Sequence, residues 1–140
     1  MLDILLLSHG KLAAGLLDSY NMIVGENDRV SAIGLTDEGI GLFRERLQQY
    51  MADKKDRVTL ILTDIKGGTP FNEAYNLLLQ HPEDIKVVTG MNLPMLIELG
   101  MKLEGQTSLS ELYADVINVG KEAVSGIEEL SQDTDDDIDF

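Results

Sequence analysis

Two side chains able to do acid–base or nucleophilic chemistry stand at the ends of apolar runs: His9 in "LLLSHG" (5–10) and Asp64 in "LILTDIKGGTP" (60–70). The only other histidine, His81, precedes Pro82 in what reads as an ordinary turn. An imidazole that acts as a nucleophile needs one ring nitrogen free and the other held by an acceptor, which fixes the tautomer. Asp64 can be that acceptor and can stabilise a charged ring once the free nitrogen is modified. Gly67, Gly68 and Thr69 open the segment that follows, and the amides of a helix start attract a phosphate. Each part has a plain structural reading as well. Strand-end histidines are common, an aspartate after a strand often caps a loop, and a glycine pair often makes a tight turn. Together the three parts describe a nucleophile, an orienting carboxylate and an anion cradle.

Competing chemistries fit less well. The chain has no G-x-G-x-x-G dinucleotide loop and no G-x-x-x-x-G-K-[ST] phosphate loop. Ser8 is not in a G-x-S-x-G elbow. With no cysteine and no paired histidine spacing, neither a zinc site nor thiolate chemistry is expected. A phospho-aspartate receiver would want a cluster of acids after the first strand, where this sequence has Ser8 and His9. The one early acid, Asp3, lies at the wrong end of that strand.

The elements that must position these groups follow from periodicity. Residues 2–7, 30–35, 57–63 and 84–90 are apolar or β-branched runs of strand length. Helical spacing fills 11–24, where Ala13, Leu16, Leu17, Tyr20, Ile23 and Val24 share a stripe. A second helix starts after Thr36 as cap, with Ile40, Phe43, Leu47 and Tyr50 inward. A third runs from Pro70 to about Gln80 with Thr69 as cap, a fourth over 93–103, and "SLSE" (108–111) is a capping box opening a fifth. Residues 124–130 fit either helix or a short edge strand, and 131–140 read as an acidic disordered tail beyond a single domain at 1–130. Such alternation predicts an α/β fold, a doubly wound, mainly parallel sheet with helices on both faces. In strand order 2-1-3-4 the loops after strands one and three flank one crevice, so His9 and Asp64 would share it.

The formal net charge is −14, and removing the five aspartates of the last eight residues still leaves −9. A body this acidic is a poor ligand for nucleic acid and attracts basic protein surfaces. No apolar run approaches the roughly 20 residues of a membrane span, and "MLDILLL" lacks a basic leader and cleavage site. A cytosolic protein with no direct membrane insertion is expected.

Three segments, "SHGKLAAGL", "LTDIKGGTPFNEA" and "TGMNLPML", resemble in order and spacing the enzyme IIA component of the mannose-family sugar phosphotransferase system, over about residues 1–130. The resemblance implies a homodimer that exchanges an antiparallel edge strand. It also implies a phosphohistidine relay, loaded by the histidine phosphocarrier protein and unloaded by a IIB component, with no nucleotide, metal or other cofactor. By motif, His9 matches the phosphorylated histidine and Asp64 its orienting carboxylate. Thr69 matches a hydroxyl near the phosphoryl group beside the amides of Gly67 and Gly68, and Asn92 and Pro94 match the loop bordering the cleft. Lys66 departs from the pattern: an aromatic is frequent there, and a lysine reads equally as a solvated loop cation. Two rival readings are the phosphotransfer subunit of a dihydroxyacetone kinase, which favours a serine where this chain has Gly10, and a regulatory module switched by phosphorylation. The sugar leaves no trace in these residues.

Overall fold

The computed structural model describes residues 1–128. Strand β1 (Leu2–His9), helix α1 (Leu12–Ile23), β2 (Val30–Leu35), α2 (Ile40–Asp53), β3 (Val58–Thr63), α3 (Gly68–Gln80), β4 (Ile85–Thr89), α4 (Leu93–Lys102) and α5 (Leu109–Glu122) follow in turn. The four strands form one sheet in the order β2-β1-β3-β4, every pair parallel. This is the expected doubly wound α/β architecture.

Parallel strands covered on both faces must be apolar on both, and β1 is buried at every position except its last, His9. On one face Ile4, Leu6, Leu60 and Leu62 pack with Ala13 and Tyr20 of α1, Leu96 and Leu99 of α4 and Leu112 and Val116 of α5. On the other, Leu5, Leu7 and Ile61 pack with Phe43, Leu47 and Tyr50 of α2 and Ala74 of α3. Burying a Leu or Ile side chain contributes about 1.5–3 kcal/mol, so these two layers fix the sheet and with it the two strand ends that matter. The amphipathic stripes are shorter than the spacing suggests: Ile23, Val24 and Ile40, at helix ends, are exposed.

Two helix starts differ from expectation for the same reason. Helix α2 begins at Ile40, because Gly39 adopts a left-handed φ of 99° that turns the chain into the helix. Thr36 instead closes the preceding turn, its Oγ1 accepting from the Glu38 amide at 3.2 Å. Helix α3 begins at Gly68, with Gly67 at the N-cap and no side-chain cap, so Thr69 and Pro70 lie inside its first turn. Pro70 is tolerated there because first-turn amides lack intrahelical acceptors anyway. The box at 108–111 forms as read, Ser108 Oγ accepting from the Glu111 amide at 3.2 Å. Residues 124–128 are neither helix nor strand. No antiparallel edge strand is present in this single chain among the described residues, and the expected acidic tail at 131–140 lies outside them.

Candidate functional site

The strand order reverses between β2 and β3 around β1, which makes the carboxyl ends of β1 and β3 the switch point of the sheet. Register places the two candidate side chains there. Leu7 pairs with Thr63, so His9, two residues on, and Asp64, one residue on, emerge side by side although 55 positions apart. His81 lies beyond the C-terminus of α3, at the opposite end of the sheet near the start of β4.

Asp64 Oδ2 accepts from the His9 backbone amide at 2.9 Å and meets ring Nδ1 at 2.8 Å. Its Oδ1 accepts from the Ile65 amide at 3.0 Å. A carboxylate only accepts, so the network assigns the proton to Nδ1 and leaves Nε2 with its lone pair free. Partial burial disfavours the charged carboxyl. The His9 amide, the His9 ring and the Ile65 amide outweigh that and hold Asp64 below its ordinary carboxylate value. The Asp64 side chain is 10% exposed and the His9 side chain 46%, so the orienting group is sheltered and the ring faces solvent.

Helix α3 starts against the ring. A Cβ on Gly68 would lie 3.0 Å from Nε2 and 2.9 Å from Cε1 of His9, and Gly68 has a left-handed φ of 82°. Both facts demand glycine, and the bare backbone brings the α3 start up to the free nitrogen. Gly67 (φ 118°) makes the turn, and Thr69 is half-buried in the first turn. A phosphoryl group on Nε2 would therefore meet the amide end of a helix with no side-chain cap, favourable for an anion.

The family model described as "PTS system fructose IIA component" matches residues 3–117. The chain belongs to that family, the enzyme IIA components of mannose-type sugar phosphotransferase systems. This enzyme IIA chain is 30% identical over 129 residues to the sorbose-specific EIIA component of Lacticaseibacillus casei, covering 91% of the chain and 92% of that protein. To the mannose-specific EIIAB component of Escherichia coli it is 32% identical over 123 residues, which are 86% of the chain and 38% of the longer protein. The solved mannose/sorbose-specific IIA subunit of Enterococcus faecalis superposes with a TM-score of 0.82 at 33% identity, over 92% of this chain and 96% of that one.

The remaining expected site residues divide. Lys66 is exposed in the loop between Asp64 and Gly67 and forms no ion pair among the described residues, beside Ile65 at 57% exposure. The loop after β4 does border β3, since the Met91 amide donates to the Thr63 carbonyl at 3.0 Å. Asn92, however, is occupied: Oδ1 accepts from the Met95 amide at 3.1 Å, capping α4, and Nδ2 donates to the Gly120 carbonyl at 3.2 Å. Pro94, exposed in the first turn of α4, lines an apolar groove with Met22, Ile23, Ile97 and Val119. One supporting residue is not evident from sequence. Ser8 is fully buried, and its Oγ accepts from the Ala13 amide at 2.8 Å, bridging the turn that carries His9 into α1. A serine five residues before a helical position is the only trace this leaves. Among the described residues no group of His, Asp and Glu is arranged to hold a metal, and no helix is long and apolar enough to cross a membrane.

Proposed function

We propose that this enzyme IIA is a phosphohistidine carrier, with Nε2 of His9 as the acceptor. The single observation that carries this reading is the His9–Asp64 pair, which holds Nδ1 of a half-exposed ring and turns Nε2 toward the start of α3. Nε2 attacks the phosphorus of a phosphohistidine on the histidine phosphocarrier protein. The N–P bond to the donor breaks as the new one forms, and the donor imidazole departs. His9 keeps its Nδ1 proton toward Asp64, whose charge opposes the positive charge gained by the ring. The Gly67, Gly68 and Thr69 backbone faces the transferred oxygens. Phosphoryl transfer of this kind needs little beyond positioning and charge stabilisation, so neither nucleotide nor metal has a part. The second transfer goes to a IIB component; the Escherichia coli relative, whose name joins A and B components, supports that direction.

Incubation with phosphoenolpyruvate, enzyme I and the histidine phosphocarrier protein should yield an acid-labile, base-stable phosphate on His9, mapped by mass spectrometry. His9→Ala should carry none and keep its thermal transition. Phosphate mapped to His81 or Asp64 would overturn the assignment.

We also propose a homodimer built from a single domain over residues 1–130. Strands β2 and β4 are the edges of the described sheet. Beyond α5, Val124 and Ile127 are 82% and 84% exposed, and an apolar groove lies between α1, α4 and α5. A sedimentation experiment at micromolar concentration showing only the 15.4 kDa species would exclude the dimer.

A further inference from the structure

We infer that Gly34, in β2 and outside all three motif segments, is a positioning residue for His9; the inference rests on His9 being the acceptor. Gly34 pairs with Ser8 and its neighbour Leu35 pairs with His9 itself. Unlike Gly67 and Gly68, Gly34 does not have a left-handed φ, so no conformational need excludes a larger residue. Space does. A Cβ at position 34 would overlap the Gly10 carbonyl oxygen and lie 3.4 Å from its carbonyl carbon. The obstacle is backbone, so a rotamer change cannot relieve it.

The displacement has few places to go. Strand β2 is held to β1 by the ladder over Ile4–His9, and the Gly10 amide donates to the Leu35 carbonyl at 2.7 Å, so β2 cannot retreat without breaking that bond. Gly10 is the residue after His9 and makes the turn into α1 with a φ of 57°. Beyond Gly10, Ser8 Oγ ties the turn to Ala13. Asp64 grips His9 at its amide and its ring, and Gly68 abuts the ring on the far side. Gly10 adjoins His9 directly, so a shift of Gly10 is transmitted to the alignment of the His9 ring with Asp64 and the α3 start. In-line transfer is sensitive to such a shift, since misplacement by about 1 Å can cost about 100-fold.

The test is Gly34→Ala in the full chain. Expected is a fall of about 10- to 100-fold in the maximal rate of phosphoryl acceptance from the phosphocarrier protein, with KM for that donor unchanged. Long-range nitrogen–proton spectra of the unphosphorylated protein supply a second readout. The His9 ring should lose the pattern of an Nδ1-protonated tautomer, while His81 serves as an unmoved internal reference. Wild-type rate with unchanged His9 signals would overturn the inference. So would a variant that no longer unfolds cooperatively, or that loses rate only in proportion to its unfolded fraction, because Gly34 would then serve sheet packing alone. If His9→Ala still accepted phosphate, the acceptor assignment would fall by itself. The ring spectra of Gly34→Ala would still report whether Gly34 positions His9.

Discussion

Each end of the sheet joins a sheltered carboxylate to a more exposed basic side chain, with different consequences. At the amino ends of the strands, Asp3 of β1 lies in register with Thr59 of β3 and is fully buried. Arg57 Nη2 stands 2.5 Å from its Oδ1 and Lys54 Nζ 3.9 Å. Tyr50 covers the cluster, its phenol pushed up first by burial and then by the Asp3 charge, with Arg57 and Thr59 acting the other way. At the carboxyl ends, Asp64 is sheltered but its partner is an imidazole nearly half exposed. The first pair sets permanent cations around a carboxylate away from water, where opposite charges hold firmly once desolvation is met. Nothing there has a free lone pair to give. The second uses its carboxylate to fix one nitrogen of a ring and present the other. In both pairs the carboxylate is the sheltered partner, so a clasp and a reactive group differ in the basic residue, a permanent cation or a ring with a second nitrogen to present, and in how far that residue reaches solvent.

Exchanging the losses between the two ends tests this contrast. The largest effect on folding should come from Asp3→Ala, which leaves Arg57 partly buried without its partner. Removing one member of a buried pair costs about 3–5 kcal/mol, readable in urea unfolding. The rate of phosphoryl transfer per folded molecule should not change. A lower rate in the folded fraction would mean that the two ends are coupled through β1.

Asp64→Asn should do the reverse. The carboxamide keeps the shape but has no negative charge to oppose that of the phosphorylated ring. We expect transfer to slow by about 10- to 100-fold, at or below the low end of general acid–base contributions because Asp64 orients the ring and moves no proton, with stability changed by less than about 1 kcal/mol. Stopped-flow transfer beside thermal unfolding separates the two outcomes. A variant that loses stability and keeps its rate would put Asp64 in the same class as Asp3.

The same contrast explains what could be read from sequence. "VSAIGL" reads as a strand over 30–35 and is one, Val30–Leu35: at this edge of the sheet only Val30 is buried, but Val30 and Ala32 pack into one core layer and Ile33 and Leu35 into the other. The order 2-1-3-4 then brings His9 and Asp64 together, since both follow strands adjacent in the sheet. Asp3 is different. It reads as a misplaced acid, because Arg57, Lys54 and Tyr50 reach it only through the packing of α2 and β3 against β1. Gly34 and Ser8 are equally silent in sequence: one matters through a carbonyl in the turn that follows the neighbouring strand, the other through an amide across that turn. The two helix starts were masked by Gly39 and Gly67, whose left-handed turns override the capping preference of nearby threonines. The occupied side chain of Asn92 depends on where α5 docks.

Acid should test the hold on Asp64 directly. Asp64 is held below its ordinary value, so its contribution is complete above about pH 4 and is lost as pH falls through the lower folded value. Following the Asp64 carboxyl carbon signal as pH falls should show no protonation step until below 3.8, the unperturbed value. The acid step should vanish in Asp64→Asn. A step above 3.8 in the wild type would mean that burial, and not the three donors, dominates at Asp64.

The smallest effect belongs to Lys66, and salt decides its kind. Lys66 is exposed two residues after Asp64, with no ion-pair partner among the described residues, where a cation can meet the incoming phosphoryl group or merely steer an acidic partner surface. An exposed charge pair contributes about 0.2–1 kcal/mol, so Lys66→Ala should slow transfer by at most about fivefold. At roughly 1 M salt the Debye length is about 3 Å, which removes steering but spares a contact made directly to a phosphoryl oxygen. We expect the deficit to survive at that ionic strength, because the loop from Asp64 to Gly67 holds Lys66 between the orienting carboxylate and the α3 start. A deficit seen only at low salt, and only in the association rate, would assign Lys66 to encounter and leave His9, Asp64 and the α3 start as the whole of the reactive end.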